Sequence, residues 1–180
     1  MSKHCRLLCA YARGMTLVRL VSFVVLTSGT ALAQERQPVA VFELGVAGEQ
    51  SLTSGSSSSF GPTAAVEFTP IKNWLVIETG VTSLFSHGQT EWDTDFVFKK
   101  PFDLSPSVEF EPGIGPFWTH TIGSGRTIDS IGAEAVLDFM FWPTPDRKFG
   151  WFLEPSYGYS FSNSHEQSLG VSTGLLIPIP

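Results

Sequence analysis

Polar and apolar residues alternate along most of the chain, and the alternation is clearest towards its end. From Trp151 to Phe161 the odd-numbered positions are aromatic residues, leucine or proline, whereas the even positions from Glu154 onwards are Glu, Ser or Gly. The return segment 166–179 repeats the division, with Leu169 to Ile179 apolar at most odd positions. Because successive side chains of a strand point to opposite faces, this pattern predicts an antiparallel hairpin in a two-sided sheet.

The same period of two recurs along the rest of the chain. It predicts eight strands, approximately at residues 38–49, 60–69, 73–85, 91–99, 104–120, 128–142, 149–162 and 166–179. Odd-numbered links are rich in Gly and Ser, whereas even-numbered links carry Pro with Lys or Arg, as at 99–103 and 143–148. An even strand count with two unlike ends predicts an all-β fold, a single up-and-down antiparallel barrel of eight strands. Pro112, Pro116 and Pro155 fall inside predicted strands, where we expect bulges or kinks.

Alternation alone does not decide which face lies inside, because a soluble barrel and a membrane barrel show the same period. The polar face is rich in glycine, which suits the crowded lumen of a small barrel, and it has almost no Lys or Arg to keep it soluble. Aromatic residues gather near the strand ends, where interfacial girdles lie in membrane barrels: Trp74, Phe85, Phe98, Phe102, Trp118, Phe141, Trp142, Phe149 and Trp151. The pattern favours a transmembrane barrel over a soluble lipocalin-like or sandwich fold.

The first 33 residues have the features of a cleaved signal peptide. A basic start is followed by the apolar run 20–26 and by the small residues of Ala31-Leu32-Ala33. The run is too short for a spanning helix, which is the alternative. We therefore expect a signal peptide at 1–33 and a barrel domain at 34–180, with either Met1 or Met15 as the start.

Removing this segment changes the charge and the cysteine content. It contains both cysteines, four of the eleven Lys+Arg and none of the seventeen Asp+Glu, so the remaining chain has a net charge of −10 against −6 for the whole sequence. An acidic chain lacks the basic face that nucleic-acid binding requires. The absence of cysteine from 34–180 excludes disulfides and thiolate chemistry there.

In these features the chain resembles the small outer-membrane barrels of Gram-negative bacteria of the OmpA-barrel, OmpX and OmpW kind. The resemblance includes the last strand, where Ser172, Gly174 and Ile177 fit the pattern read by the barrel-assembly machinery, whereas Ile179-Pro180 replaces the usual terminal Phe. It implies location in the outer membrane, contact with the lipid bilayer and lipopolysaccharide, the assembly machinery as a partner during biogenesis, and a monomer. No cofactor is indicated.

The candidate chemistry is acidic, because every predicted strand places a carboxyl group on the inward face. We predict a lumen cluster of Glu43, Glu67, Glu78, Asp95, Glu109, Glu111, Glu134, Asp138 and Glu154. Strand geometry puts most of them in one layer, roughly 10–15 Å from the end with the basic links. Either basic residues of those links (Lys72, Lys99, Lys100, Arg147, Lys148) reach inward to compensate them, or some carboxyl groups are protonated, or the cluster binds a cation.

Two weaker constellations lie at the opposite end. His87, His120 and His165 share that rim and are weak candidates for a metal site, although their spacing fits no metal motif. Ser164, His165 and Glu166 contain the residue types of a hydrolase, but adjacent strand residues point to opposite faces. We therefore expect a structural or surface-interaction role without enzymatic activity. The alternatives are a small-solute or cation conduit with an acidic lumen, and a lipid-modifying hydrolase.

Overall fold

The computed structural model describes residues 39–53, 57–123, 125–144, 146–162 and 165–179, and the predicted signal peptide lies outside these ranges. The described residues form nine strands: β1 Ala40–Ser51, β2 Ser58–Ile71, β3 Leu75–Ser86, β4 Gln89–Lys99, β5 Phe102–Ser105, β6 Val108–Gly123, β7 Arg126–Phe141, β8 Gly150–Ser160 and β9 Gln167–Ile179. Among the described residues, no helix is long and apolar enough to cross a membrane.

The strands form one closed antiparallel barrel. Strands that follow one another in sequence pair, except β4 and β5. β1 also pairs with β9, and β4 pairs with β6, which completes the circle. The short strand β5 continues the line of β4, so nine strands make eight barrel positions, as the sequence predicted. We call the end with the links after β2, β5 and β7 and the first residue of β1 the base. The opposite end, with the links after β1, β3, β6 and β8, is the mouth.

The predicted turn at 99–103 is wrong. Lys99 pairs with Gly113 and Phe102 with Phe110 in the same register along β6, so the extended chain continues past Pro101. The reversal comes later, between Ser105 and Val108. The Lys100 amide donates a hydrogen bond to the Pro112 carbonyl of β6 (2.9 Å). Because successive amides of a strand point to opposite sides, the nitrogen of Pro101 faces away from β6. Its lack of a donor therefore costs no hydrogen bond to that strand.

Of the bulges or kinks predicted at the three strand prolines, the bulges are wrong. β6 keeps one register with β7 through Pro112 and Pro116, and β8 keeps one register with β9 through Pro155. A proline removes one backbone hydrogen-bond donor but adds no residue to the strand, so it weakens the pairing locally and leaves the register unchanged. Register shifts occur instead near the base, between Phe68 and Ile71 of β2 and between Asp103 and Ser105 of β5.

The barrel has its apolar face outside and its polar face inside, as the sequence predicted. Phe42, Leu44 and Val46 of β1 are exposed, while Glu43 between them is buried. Large apolar side chains are exposed around the barrel, a surface that fits lipid. One residue of the expected aromatic girdle differs, because Trp142 is 1% exposed and packs inside the lumen.

Candidate functional site

A single lysine lies at the centre of the lumen and binds carboxylates from four strands. Its Nζ lies 3.0 Å from Glu67 Oε1, 3.1 Å from Asp138 Oδ2 and 2.9 Å from Glu154 Oε2, and it also pairs with Glu78. The lysine is Lys99, and its side chain is fully buried. Four ion pairs on one ammonium tie β2, β3, β7 and β8 to β4 across the lumen.

Strand phase explains why Lys99 points inward. It is the last residue of β4 and shares the inward phase of Asp95 and Val97, whereas Phe96 and Phe98 are exposed outside. Gly113, opposite Lys99 on β6, leaves room for the lysine stem. A Cβ at Gly113 would lie 2.7 Å from Lys99 Cγ and 2.8 Å from Val97 Cγ1.

The carboxyl groups of the predicted cluster occupy several levels of the lumen rather than one layer. Carboxyl oxygens of Glu43, Glu67, Glu78 and Asp138 lie within 4.8 Å of one another around the lysine. Glu109 lies nearer the base and accepts a hydrogen bond of 2.7 Å from Arg147. Asp95 lies towards the mouth on β4, while Glu111 and Glu134 each have one buried oxygen without a partner among the described residues. The single layer fails because strands tilt in a barrel.

Two of the five candidate basic residues enter the network. Lys99 is central, and Arg147 contacts Glu109 and stands over the ring of Trp142, 5.4 Å from its centroid. Lys148 instead forms an exposed ion pair with Asp146 at 2.7 Å, and its hydrogen bond lowers the pKa of Asp146. Lys100 donates to the Asn73 carbonyl, and Lys72 is exposed.

An apolar plug fills the lumen between this network and the base. It consists of the buried side chains Val41, Met140, Trp142, Phe152 and Leu176. Four of these residues occupy inward-facing positions of their strands, and Trp142 directly follows β7. These five apolar residues therefore replace polar ones on the inner face only near the base. The plug and the lysine network together close the barrel at that end.

The mouth side of the lumen is open and forms a cavity of about 610 Å³. Its floor includes Glu43, Glu78 and Glu154, and its rim includes Ser86 and Gln89. The wall between them is lined largely by hydroxyl groups and carboxylates. The lumen is therefore closed at the base and open at the mouth. We call this open cavity the vestibule.

Sequence reasoning left Glu49, Glu91 and Asp93 out of the acidic cluster. Carboxyl oxygens of these three residues lie within 4.8 Å of one another inside the vestibule. Thr121 donates a hydrogen bond of 3.0 Å to Glu91 Oε2. Strand phase could have identified them, because Glu49 shares the phase of Glu43, and Glu91 and Asp93 share that of Asp95.

Neither acidic group with metal-binding geometry among the described residues includes a histidine. His120 contacts Asp129 at 2.7 Å on the outer face, and His165 contacts the Tyr159 hydroxyl at 3.1 Å. His87 is exposed in the link after β3. The three histidines do not converge on one another in a metal-binding group.

The hydrolase constellation is only partly described. Ser164 lies outside the described residues, while His165 and Glu166 are both exposed. Glu166 lines the vestibule, and the described contact of the His165 ring is with Tyr159 rather than with a carboxylate. The described contacts of this constellation therefore do not pair His165 with an orienting acid.

A closed eight-stranded barrel with an apolar exterior and a charged, plugged lumen defines the class of small membrane β-barrels. No protein-family model matches the sequence, and no curated protein is significantly similar to it in sequence. Solved structures with the same fold include small outer-membrane barrels. Neisserial surface protein A (NspA) is 16% identical with a TM-score of 0.66, over 78% of this chain and 97% of that one.

Two further structures have the same architecture. Ail, the attachment invasion locus protein of Yersinia pestis, is 12% identical with a TM-score of 0.53, over 76% of this chain and 95% of that one. The N-terminal β-barrel domain of Pseudomonas aeruginosa OprF is 12% identical with a TM-score of 0.52, over 78% and 98%. At these identities the similarity shows the fold, and it confirms the resemblance to small outer-membrane barrels.

Proposed function

We propose that the chain is a closed outer-membrane barrel with a structural or surface-interaction role, and that it conducts no solute in its resting form. The observation that carries this proposal is the sealed base, where Lys99 joins four strands and the apolar plug lies beneath it. A buried multivalent ion pair and a packed plug hold the barrel in one shape, which suits a rigid support for the links at the mouth.

The proposed location follows from the apolar exterior together with the signal-like segment 1–33. Export would deliver the chain to the barrel-assembly machinery, and the inserted monomer would contact the bilayer and lipopolysaccharide. Two of the similar structures are a surface protein and an attachment invasion locus protein, which supports a surface role. Ail was also solved with a heparin analogue, sucrose octasulfate. The acidic mouth of the present chain opposes such a polyanion.

The first test is the electrophoretic mobility of the folded protein in detergent, with and without boiling. We expect a β-rich band whose mobility changes on heating. A protein that is soluble and β-rich without detergent would contradict the membrane location.

The second test separates a closed barrel from the conduit alternative, which the open vestibule favours. In planar bilayers we expect no stepwise conductance from the wild type. Steady conductance that changes in Glu78→Gln would establish a conduit instead. Esterase activity that is lost in His165→Ala would establish the hydrolase alternative.

A further inference from the structure

The vestibule has a strongly one-sided charge. Every charged side chain among the described residues that line it is an aspartate or a glutamate, from Glu43 on the floor to Glu166 at the mouth. Lys99 compensates four carboxylates, two of which, Glu78 and Glu154, belong to the floor, but no basic residue of the described ranges lines the space above. Carboxylates confined in one narrow space attract cations strongly, because the surrounding protein screens charge less than water does.

The carboxylates of the vestibule are arranged along its depth rather than around one point. Glu91, Asp93 and Asp95 follow one another at alternate positions of β4, so their Cα atoms are spaced by about 6.6–6.8 Å along the wall. Glu49 joins Glu91 and Asp93 at the upper level. Glu134 lines the same cavity from β7.

The floor provides a second, independent observation. Glu43 is 3% exposed and lines the cavity, and its Oε1 has no hydrogen-bond partner among the described residues. The ion pairs of Lys99 go to four other carboxylates. A buried carboxylate oxygen without a donor is costly, and a ligand that supplies a donor removes that cost.

We propose that the vestibule binds a linear aliphatic polyamine. Amines joined by three or four methylene groups have a spacing comparable with that of the carboxylates along β4. A compact metal ion would engage one level only, whereas an extended chain can reach from the upper level towards Glu43. Ala47, Leu84 and Phe117 also line the cavity and offer apolar surface to the methylene groups. This ligand goes beyond the proposed structural role.

The test is calorimetric titration of spermine into the purified, folded protein in uncharged detergent at fixed ionic strength. We expect saturable binding to the wild type. The double variant E91Q/D93N should bind at least about tenfold more weakly, which corresponds to about 1.4 kcal/mol. The control D103N/D129N removes the same charge from exposed positions outside the vestibule and should leave the affinity unchanged.

Three results would overturn the proposal: no saturable binding, an equal loss in D103N/D129N, or displacement by magnesium as effective as displacement by spermidine at matched ionic strength. Heat-dependent mobility verifies that each variant is folded, and if E91Q/D93N does not fold, Glu49→Gln with Asp129→Asn as its control replaces it. A protein that passes the mobility and conductance tests but binds no spermine would overturn the ligand alone.

Discussion

At the scale of single residues, Lys99 has the largest predicted effect on stability. Lys99→Met keeps an unbranched stem but leaves four buried carboxylates without their ammonium. Removing one partner of a buried ion pair costs about 3–5 kcal/mol. We expect a loss of this size in the free energy of unfolding, measured by urea titration in lipid vesicles.

The matched control for this variant is Lys148→Met. Lys148 forms an ion pair with Asp146, but its side chain is 79% exposed, so water screens the attraction between the two charges. We expect no measurable change in unfolding there. If both variants unfold at the same urea concentration, the lysine network does not stabilise the barrel.

The space beside the Lys99 stem depends on a glycine. Gly113→Val would place a side chain within 3.0 Å of atoms of Lys99, Val97 and Val136, so the packing must shift. Overpacking of this kind costs roughly 1–3 kcal/mol. Gly48→Val is the control, since the nearest heavy atom to its Cβ would be 3.8 Å away. Equal unfolding curves for the two variants would contradict the steric argument.

At the scale of the strands, the unexpected extension of β4 into β5 can be tested by cross-linking. Asp103 lies directly opposite Glu109, and opposed residues of an antiparallel pair are close enough for a disulfide. In a background with Cys5 and Cys9 replaced by serine, we expect D103C/E109C to cross-link on oxidation and D103C/E111C to remain reduced. Non-reducing electrophoresis distinguishes them, and equal cross-linking would refute the register.

Most strands could be predicted from the sequence because the period of two persists over ten or more residues. The position of the turn after β4 could not be predicted. Lys100-Pro101 has the residue types of a turn, but the chain pairs with β6 in the same register before and after these two residues. The inward phase of Lys99 was visible in the sequence. That four carboxylates converge on it depends on barrel tilt and closure, which alternation does not encode.

At the scale of the whole molecule, the exposed apolar surface should behave as a membrane-spanning face. Leu44 lies near the middle of β1 and points outward beside its paired neighbours Ala64 and Leu175. Arginine on the lipid face costs about 2–4 kcal/mol at the bilayer midplane and about 0–1 kcal/mol near the interface. We therefore expect Leu44→Arg to destabilise the barrel in vesicles by an amount in the first range.

The depth dependence is the decisive part of this prediction. Val39 lies directly before β1 at the base and is 73% exposed, so Val39→Arg should change the free energy of unfolding little. A soluble barrel would tolerate arginine at both positions, because both side chains would face water. A large cost at Leu44 with a small cost at Val39 therefore requires lipid around the middle of the barrel, and equal costs would exclude it.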